Sequence, residues 1–361
     1  MTRQLTSHNR DATSMNVCEL DPLTDDRWPD FVAQHPASSV FHTRAWLTVL
    51  SSSYGYKPVA FATVRSGKII NAVVFCEVKS WFTGNRLVSL PFSDHCQPLA
   101  YDLDLAAILN HLERRRIMRR LKYVELRPST CYGIDLKRGA LDISRRFSLQ
   151  KIDLRPDLDT LYSGFHSSCI RRKIKRAERE ELIYESGRSS SLLLRFRELL
   201  LLTRRRHKLP PQPASWFQNI VRSLGDSVTI HLLSKDTVPV ASIMTFTHKK
   251  VLTYKYGCSN AHFSNLGGTP LLFWKVIQQA KETAMEDLDL GRSDFDDPGL
   301  IKFKENLGAA SSELVYFRNP VPEQKLALRK PEKRDWARQA MTQLPDPLFA
   351  GVGRLLYRHL G

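Results

Sequence analysis

Residues 265–309 read NLGGTPLLFWKVIQQAKETAMEDLDLGRSDFDDPGLIKFKENLGA. Thr269 suits an N-cap and Pro270 the first turn of a helix running from Thr269 to Met285. Gly267 and Gly268 stand just before it. They leave the helix's free N–H groups accessible to a phosphate or carboxylate, or they simply make a tight strand-to-helix connection. Asp287 to Leu290 is then a short apolar-centred strand, and its end runs into Gly291-Arg292-Ser293-Asp294. Loops that leave buried strands often carry catalytic groups. In an extended segment Arg292 and Asp294 point to one side. Asp294 is a candidate to accept a proton from an amine. Lys304, on a short helix from Leu300 to Leu307, is a candidate to neutralise a phosphate or a developing oxyanion. The plainer alternative is an Asp-rich capping loop with a solvated lysine.

Upstream, three strands (227–233, 238–247 and 251–257) are joined by links of hairpin length. Before them come helices at 157–181, in two pieces, at 191–207 and at 214–224. The first half uses similar grammar. A hairpin pairs Val59–Val64 with Ile69–Val78 through Ser66-Gly67, and a third strand covers Arg86 to Leu90. A helix follows from Leu103 to Lys122, with Leu105, Ile108, Leu112, Ile117 and Leu121 toward one face. Strands at 123–126 and 147–154 complete the half. This order does not fit a doubly wound parallel sheet. It predicts an α/β (α+β) fold of two similar domains, each a mixed and mostly antiparallel sheet flanked by helices. The expected divisions are a flexible tail over 1–20, domains over 21–150 and 151–320, and a basic tail over 321–361 with a short amphipathic stretch at Leu348–Leu360. That stretch either docks on the protein's own core or lies on an anionic membrane.

The chain has 361 residues, with 54 Lys and Arg against 37 Asp and Glu, a net charge of +17. This excess favours an anionic partner without choosing one. Met1 to Asn16 is polar and lacks the apolar core of a secretory signal. No uncharged apolar run is long enough to span a bilayer. Six scattered cysteines without a CxxC pair, and His95-Cys96 without a second ligand pair, predict reduced thiols in a cytoplasmic setting and no metal. No GxSxG elbow or RNA-recognition signature occurs.

Three further motifs give the long stretch its meaning. Gly291-Arg292-Ser293, Gly299-Leu300, Phe303-Lys304 and Gly308 stand in order; Ile170-Arg171-Arg172-Lys173-Ile174-Lys175-Arg176-Ala177 forms a basic helix; and Leu90-Pro91-Phe92-Ser93-Asp94 ends a first-half strand. Together these resemble the FemAB-like branch of the GNAT (N-acetyltransferase-like) acyltransferase superfamily. The resemblance implies two tandem GNAT-like domains and transfer of an acyl or aminoacyl group to an amine. It points to Lys304 at the reaction site and to Asp94, Arg292, Phe303 and Arg171 in substrate binding. The segment Asn260–Gly268 departs from the usual GNAT pyrophosphate loop in length and spacing, although Gly267, Gly268 and Thr269 remain candidates for holding a donor's phosphates. Backbone N–H groups near Lys255-Tyr256-Gly257 could stabilise an oxyanion, and Tyr256 could protonate the leaving group.

On this reading no cofactor is tightly bound. Acyl-CoA is the first choice of co-substrate and aminoacyl-tRNA the second. The acceptor is a small-molecule or glycan-precursor amine in cell-envelope or exopolysaccharide synthesis, met in the cytoplasm or at the inner face of the membrane. Arginine clusters at 114–116, 119–120, 171–173, 175–176 and 204–206 would suit tRNA, or they are solvated helix faces. A catalytically inactive fold serving as a basic RNA-binding or scaffold protein is the rival reading.

Overall fold

Ser66 and Gly67 have φ of 49° and 77°, the positive pair that a two-residue hairpin turn demands. That turn joins strand β2 (Lys57–Arg65) to β3 (Lys68–Val78), antiparallel along their length. The computed structural model describes residues 16–130, 141–320 and 343–360. Around this hairpin the first half adds β1 (Val17–Leu20), helices α1 (Arg27–Gln34) and α2 (Arg44–Tyr54), β4 (Arg86–Ser89), α3 (Asp102–Met118) and β5 (Tyr123–Leu126). Then come β6 (Asp142–Asp153), α4 (Leu158–Ser163), α5 (Arg172–Arg179) and β7 (Ile183–Gly187). The second half continues with α6 (Ser190–Arg206), α7 (Ala214–Leu224), β8 (Val228–Lys235), β9 (Val238–His248) and β10 (Val251–Ser259). It closes with α8 (Gly268–Glu282), β11 (Asp287–Ser293), α9 (Pro298–Asn306) and β12 (Ala310–Asn319), after which α10 (Asp346–Leu360) follows.

The described strands form one twelve-stranded sheet in the order β1-β2-β3-β4-β5-β12-β6-β11-β10-β9-β8-β7. The two central strands have changed places. β12, the last of the described strands, pairs antiparallel with β5 of the first half, while β6 pairs antiparallel with β11 of the second. β6 and β12 also pair with each other from Lys151↔Ala310 to Asp142↔Arg318. The junction expected near residue 150 therefore falls inside a strand, and the two expected sheets are one.

The core ignores the junction too. Trp46 of α2 and Trp216 of α7 meet edge to face, with centroids 5.5 Å apart, and both are fully buried. Trp46 donates its indole N–H to Ser93 Oγ at 3.0 Å, and Trp216 donates to the Tyr256 hydroxyl at 2.8 Å. A second core lies under α8, where Leu272, Ile277, Leu288 and Leu307 are all fully buried. Each such side chain contributes roughly 1.5–3 kcal/mol by leaving water.

Three expectations change. Val17–Leu20, placed in or beside a flexible tail, is a strand paired with Ala60–Thr63. Its four residues are too few for periodicity to register. Ile117 is 60 % exposed because, twelve positions after Leu105, it stands about 120° round the helix, and Leu109 takes its place on the buried face. The helix after the paired glycines starts at Gly268, with Gly267 rather than Thr269 as N-cap. The charge-rich stretch Lys325–Arg338 lies outside the described residues.

Candidate active site

β10 and β11 are parallel neighbours, yet their pairing covers only Val251↔Asp287, Leu252↔Leu288 and Thr253↔Asp289. Beyond that point both strands are irregular. β10 slips against β9 between Tyr254 and Tyr256, which makes Lys255 the extra residue of a bulge. β11 slips against β6 between Asp289 and Arg292. The strands separate into a crevice. The bulge also reverses the facing of β10: Leu252 and Tyr254 pack with the α8 core, whereas Tyr256 and Cys258 pack with the aromatic core.

The crevice holds charge. Lys255 Nζ lies 3.4 Å from Asp94 Oδ1, and Asp94 arrives from the loop after β4, in the other half of the chain. Gly291 makes room for it. A Cβ there would sit 2.4 Å from Asp94 Oδ2, and Gly291 has φ of +70°. Asp289 Oδ1 accepts the Gly291 N–H at 2.8 Å, and its Oδ2 pairs with His95 Nε2 at 2.6 Å. Lys304, only 3 % exposed, donates to Gly291 O at 3.0 Å, Gln150 Oε1 at 3.2 Å and Arg292 O at 3.3 Å. Those three acceptors match the three protons of an ammonium. Ser293 Oγ donates to the same Gln150 oxygen at 2.9 Å. In the Gly-Arg-Ser turn, then, glycine admits Asp94 and serine helps hold the partner of Lys304. Arg292 lies over the Phe147 ring at 4.2 Å and donates to the Tyr316 hydroxyl, which in turn donates to the Asp94 carbonyl.

Burial and charge compete here. Burial pushes the Asp94 carboxyl up, but Lys255, Arg292 and His95 outweigh it and the net shift is downward. Asp289 is likewise raised by burial, overcome by His95, and lowered to about 2. Burial lowers Lys304 to about 8 despite the upward pull of Asp94 and Asp289. Lys255 is lowered too, again chiefly by burial. Asp94 keeps a quarter of its side-chain surface exposed, so the buried cluster opens to solvent at this carboxylate.

A pocket of about 290 Å³ lies at the start of α8, lined in part by Lys173, Ser259, Asn260, Gly267, Thr269 and Phe303. Gly268 lines it as well. Both glycines also have steric reasons to be there. A Cβ on Gly267 would meet the Lys173 carbonyl at 2.3 Å, and one on Gly268 would meet Val240 Cγ1 at 2.8 Å. Phe303 packs on Phe273 with centroids 5.8 Å apart, so α9 sends Phe303 to the pocket and Lys304 to the crevice. Arg171 ends the π-helical turn Ser167–Arg171, two residues before Lys173, and its Nε is buried without a hydrogen-bond partner.

The structure thus gathers Lys304, Asp94 and Arg292 around one crevice. It does not gather Asp294, which is exposed on the turn beyond β11. Tyr256 also stands apart: the bulge turns it into the aromatic core, where its hydroxyl accepts the Trp216 N–H. Four side chains were missed as members: Lys255, expected only for its backbone N–H, His95, weighed only as a metal ligand, Asp289 and Gln150. His95 follows Asp94 directly and Asp289 lies two residues before Gly291, so adjacency to the motifs was the available signal.

Residues 166–304 match the family described as an acetyltransferase (GNAT) domain. Among solved structures, the chain is similar to FemX at TM-score 0.69 and 14% identity, covering 84% of this chain and 97% of that one. The C-terminal domain of a putative lysylphosphatidylglycerol synthetase from Agrobacterium fabrum gives TM-score 0.53 and 14% identity, over 82% and 91%. A tandem GNAT protein from the clavulanic acid biosynthesis pathway gives 0.54 and 11%, over 84% and 97%. No curated protein matches the sequence. The fold is two GNAT-like halves in tandem, the second of them matching the GNAT domain, and the likeness to FemX bears out the resemblance at the level of the fold.

Proposed function

With a tandem GNAT fold shared with FemX as the premise, we propose that the chain transfers an acyl or aminoacyl group from a carrier to a primary amine in the crevice between β10 and β11. The observation that carries this reading is the charged cluster of Asp94, Lys255, Asp289 and Lys304 where two parallel strands part. Two buried lysines that burial holds below their ordinary range, set beside carboxylates where the sheet opens, support a reactive site over a scaffold.

The reaction asks three things of these groups. The acceptor arrives as an ammonium, and the ionised, partly exposed Asp94 attracts and holds it while its proton leaves to solvent at the open side of the crevice. The freed nitrogen attacks the donor carbonyl, and an N–C bond forms. The resulting oxyanion meets the Lys304 and Lys255 charges in a dry setting, where a fixed cation is worth most. The nitrogen then gives its second proton to solvent, the C–S or C–O bond breaks as the amide forms, and the leaving thiolate or alkoxide takes a proton from solvent.

The pocket at the start of α8 would take the donor's phosphates, with Lys173 and the first N–H groups of α8 as the anion-binding parts. Acyl-CoA is the first donor and aminoacyl-tRNA the second. The acceptor class is an amine on a cell-envelope or exopolysaccharide precursor, in keeping with a neighbour described as a putative lysylphosphatidylglycerol synthetase. The test is to incubate the chain with a panel of CoA thioesters and charged tRNAs and a mixture of amino-sugar and peptidoglycan-precursor acceptors, and to weigh the acceptors. An added acyl or aminoacyl mass that disappears with Lys304→Met is expected. No transfer from either donor class, together with salt-sensitive tRNA binding that Lys304→Met leaves intact, would favour the RNA-binding reading instead.

A further inference from the structure

The last helix docks by one face only. Phe349 is fully buried, Gly353 touches the Pro211 carbonyl so closely that a Cβ would sit 1.9 Å from it, and Tyr357 packs on Phe92 with centroids 5.9 Å apart. Its C-terminal end is tied to the β3–β4 turn: His359 Nδ1 bonds Ser80 Oγ at 2.9 Å, and the His359 carbonyl accepts from Arg86 at 2.8 Å. Leu348, Leu355 and His359 follow one another at spacings of seven and four, so they share one flank of α10 beside the docked face. Leu348 is 59 % exposed and Leu355 72 %.

The turn continues this flank. Trp81 meets the His359 ring edge to face at 6.0 Å and is 89 % exposed, and Phe82 beside it is 72 % exposed. A tryptophan and a phenylalanine on a turn tip, in line with two leucines on a helix, make an apolar ridge rather than scattered surface residues. The end of α3 joins the same corner, where Lys122 Nζ donates to the Thr83 carbonyl at 3.0 Å. Segments 79–86, 117–122 and 348–360 contain no acidic residue. They expose six cations: Lys79, Arg119, Arg120, Lys122, Arg354 and Arg358.

We propose that this corner is a membrane-docking surface, on which Trp81, Phe82 and Leu355 enter the headgroup region of an anionic bilayer while the surrounding arginines and lysines meet lipid phosphates. Charge decides between occupants. A purely apolar ridge would suit any protein partner, but this one is bordered chiefly by cations, its acidic neighbours being Glu77, paired with Lys79, and Asp346, paired with Arg205 at the far end of α10; that balance matches a surface that is apolar below and anionic above. Among the described residues no helix is long and apolar enough to cross a membrane, so the contact is peripheral.

The test uses the full chain with Trp336→Phe, which leaves Trp81 as the exposed indole beside the buried Trp28, Trp46 and Trp216 and the nearly buried Trp274. Vesicles of phosphatidylcholine alone are compared with vesicles carrying about 30 % phosphatidylglycerol and brominated acyl chains. The expected result is co-sedimentation at least about tenfold stronger with the anionic vesicles, released by high salt, with Trp81 quenched by bromine. Trp81→Ser with Leu355→Ser, and separately Arg354→Glu with Arg358→Glu, should each cut binding about tenfold at unchanged near-UV circular dichroism. Equal binding to neutral vesicles, an unquenched Trp81, or full binding by the serine variant would overturn the proposal. So would a dimer in solution that Trp81→Ser abolishes, since a second copy would then be the occupant.

Discussion

Among the described residues each half contains one parallel strand pair, β4 with β5 and β10 with β11, and the two pairs have opposite fates. β4 and β5 stay paired over all four residues, from Arg86↔Tyr123 to Ser89↔Leu126. Past their ends the chain is stitched shut: Cys96 N–H bonds the Arg127 carbonyl at 2.7 Å, and the Arg127 guanidinium reaches the Leu90 carbonyl at 2.7 Å. Arg127 also pairs with Glu125, which is 1 % exposed, at 2.6 Å. β10 and β11 part after three residues, and the space between them holds Asp94 and Lys255. The same topology gives a structural seam in one half and a reactive crevice in the other. What separates them is whether a bulge breaks the ladder and whether an arginine closes the gap. The first half even lends its Asp94 and His95 to the second.

Changing one side of this contrast at a time should separate chemistry from stability. The largest effect is expected from Lys304→Met, which keeps the length of the side chain and removes its charge. Turnover should fall about 10³-fold, roughly 4 kcal/mol of transition-state stabilisation, with circular dichroism unchanged. In the unaltered protein kcat should decline above about pH 8, as Lys304 loses its proton, a limb that the variant lacks.

Arg127→Met attacks the closed seam. It leaves the buried Glu125 with Arg318 alone and should cost about 3 kcal/mol in denaturant unfolding, while turnover of the remaining folded protein stays within about threefold. Gly291→Ala attacks the crevice. The added Cβ meets Asp94, so turnover should fall about 10²-fold with a stability loss of about 1–3 kcal/mol.

The pH dependence of folding sharpens the same contrast. Asp289 titrates at about 2 in the folded chain against 3.8 as its ordinary value, so the unfolded state binds more protons in between. Its contribution, about 2 kcal/mol, is complete above pH 4 and lost as pH falls toward 2; urea unfolding of the parent and Asp289→Asn at pH 5, 3 and 2 measures it. The smallest effect is expected at Asp294, exposed beyond the crevice, where Asp294→Asn should change kcat/KM by less than about twofold.

Most elements were legible because their signals are local. The hairpin turn at Ser66-Gly67, the amphipathic stripe of α3 and the strand-to-helix step at Gly267–Pro270 all lie within a few residues of the feature they mark. Lys304, Asp94 and Arg292 were legible through the family motifs that contain them. The exchange of β6 and β12 was not, because alternation tells which face of a strand is buried and says nothing of its neighbour. The facing of Tyr256 depends on one extra residue in β10, and no propensity marks that bulge. His95 and Asp289 lie 194 positions apart, and only the assembled sheet brings them within 2.6 Å.

The exchanged strands also set a timetable for synthesis. When the first half leaves the ribosome, β5 carries a bare edge, because the strand that covers it is encoded at residues 310–319. β6 likewise waits for β11. The nascent chain must carry two unpaired edges until residues 310–319 have been translated, which exposes it to the pairing errors that holding chaperones suppress. Gly291 and Lys304 are made just before that closing strand, so the crevice and the sheet are completed together, and a chain released early has neither.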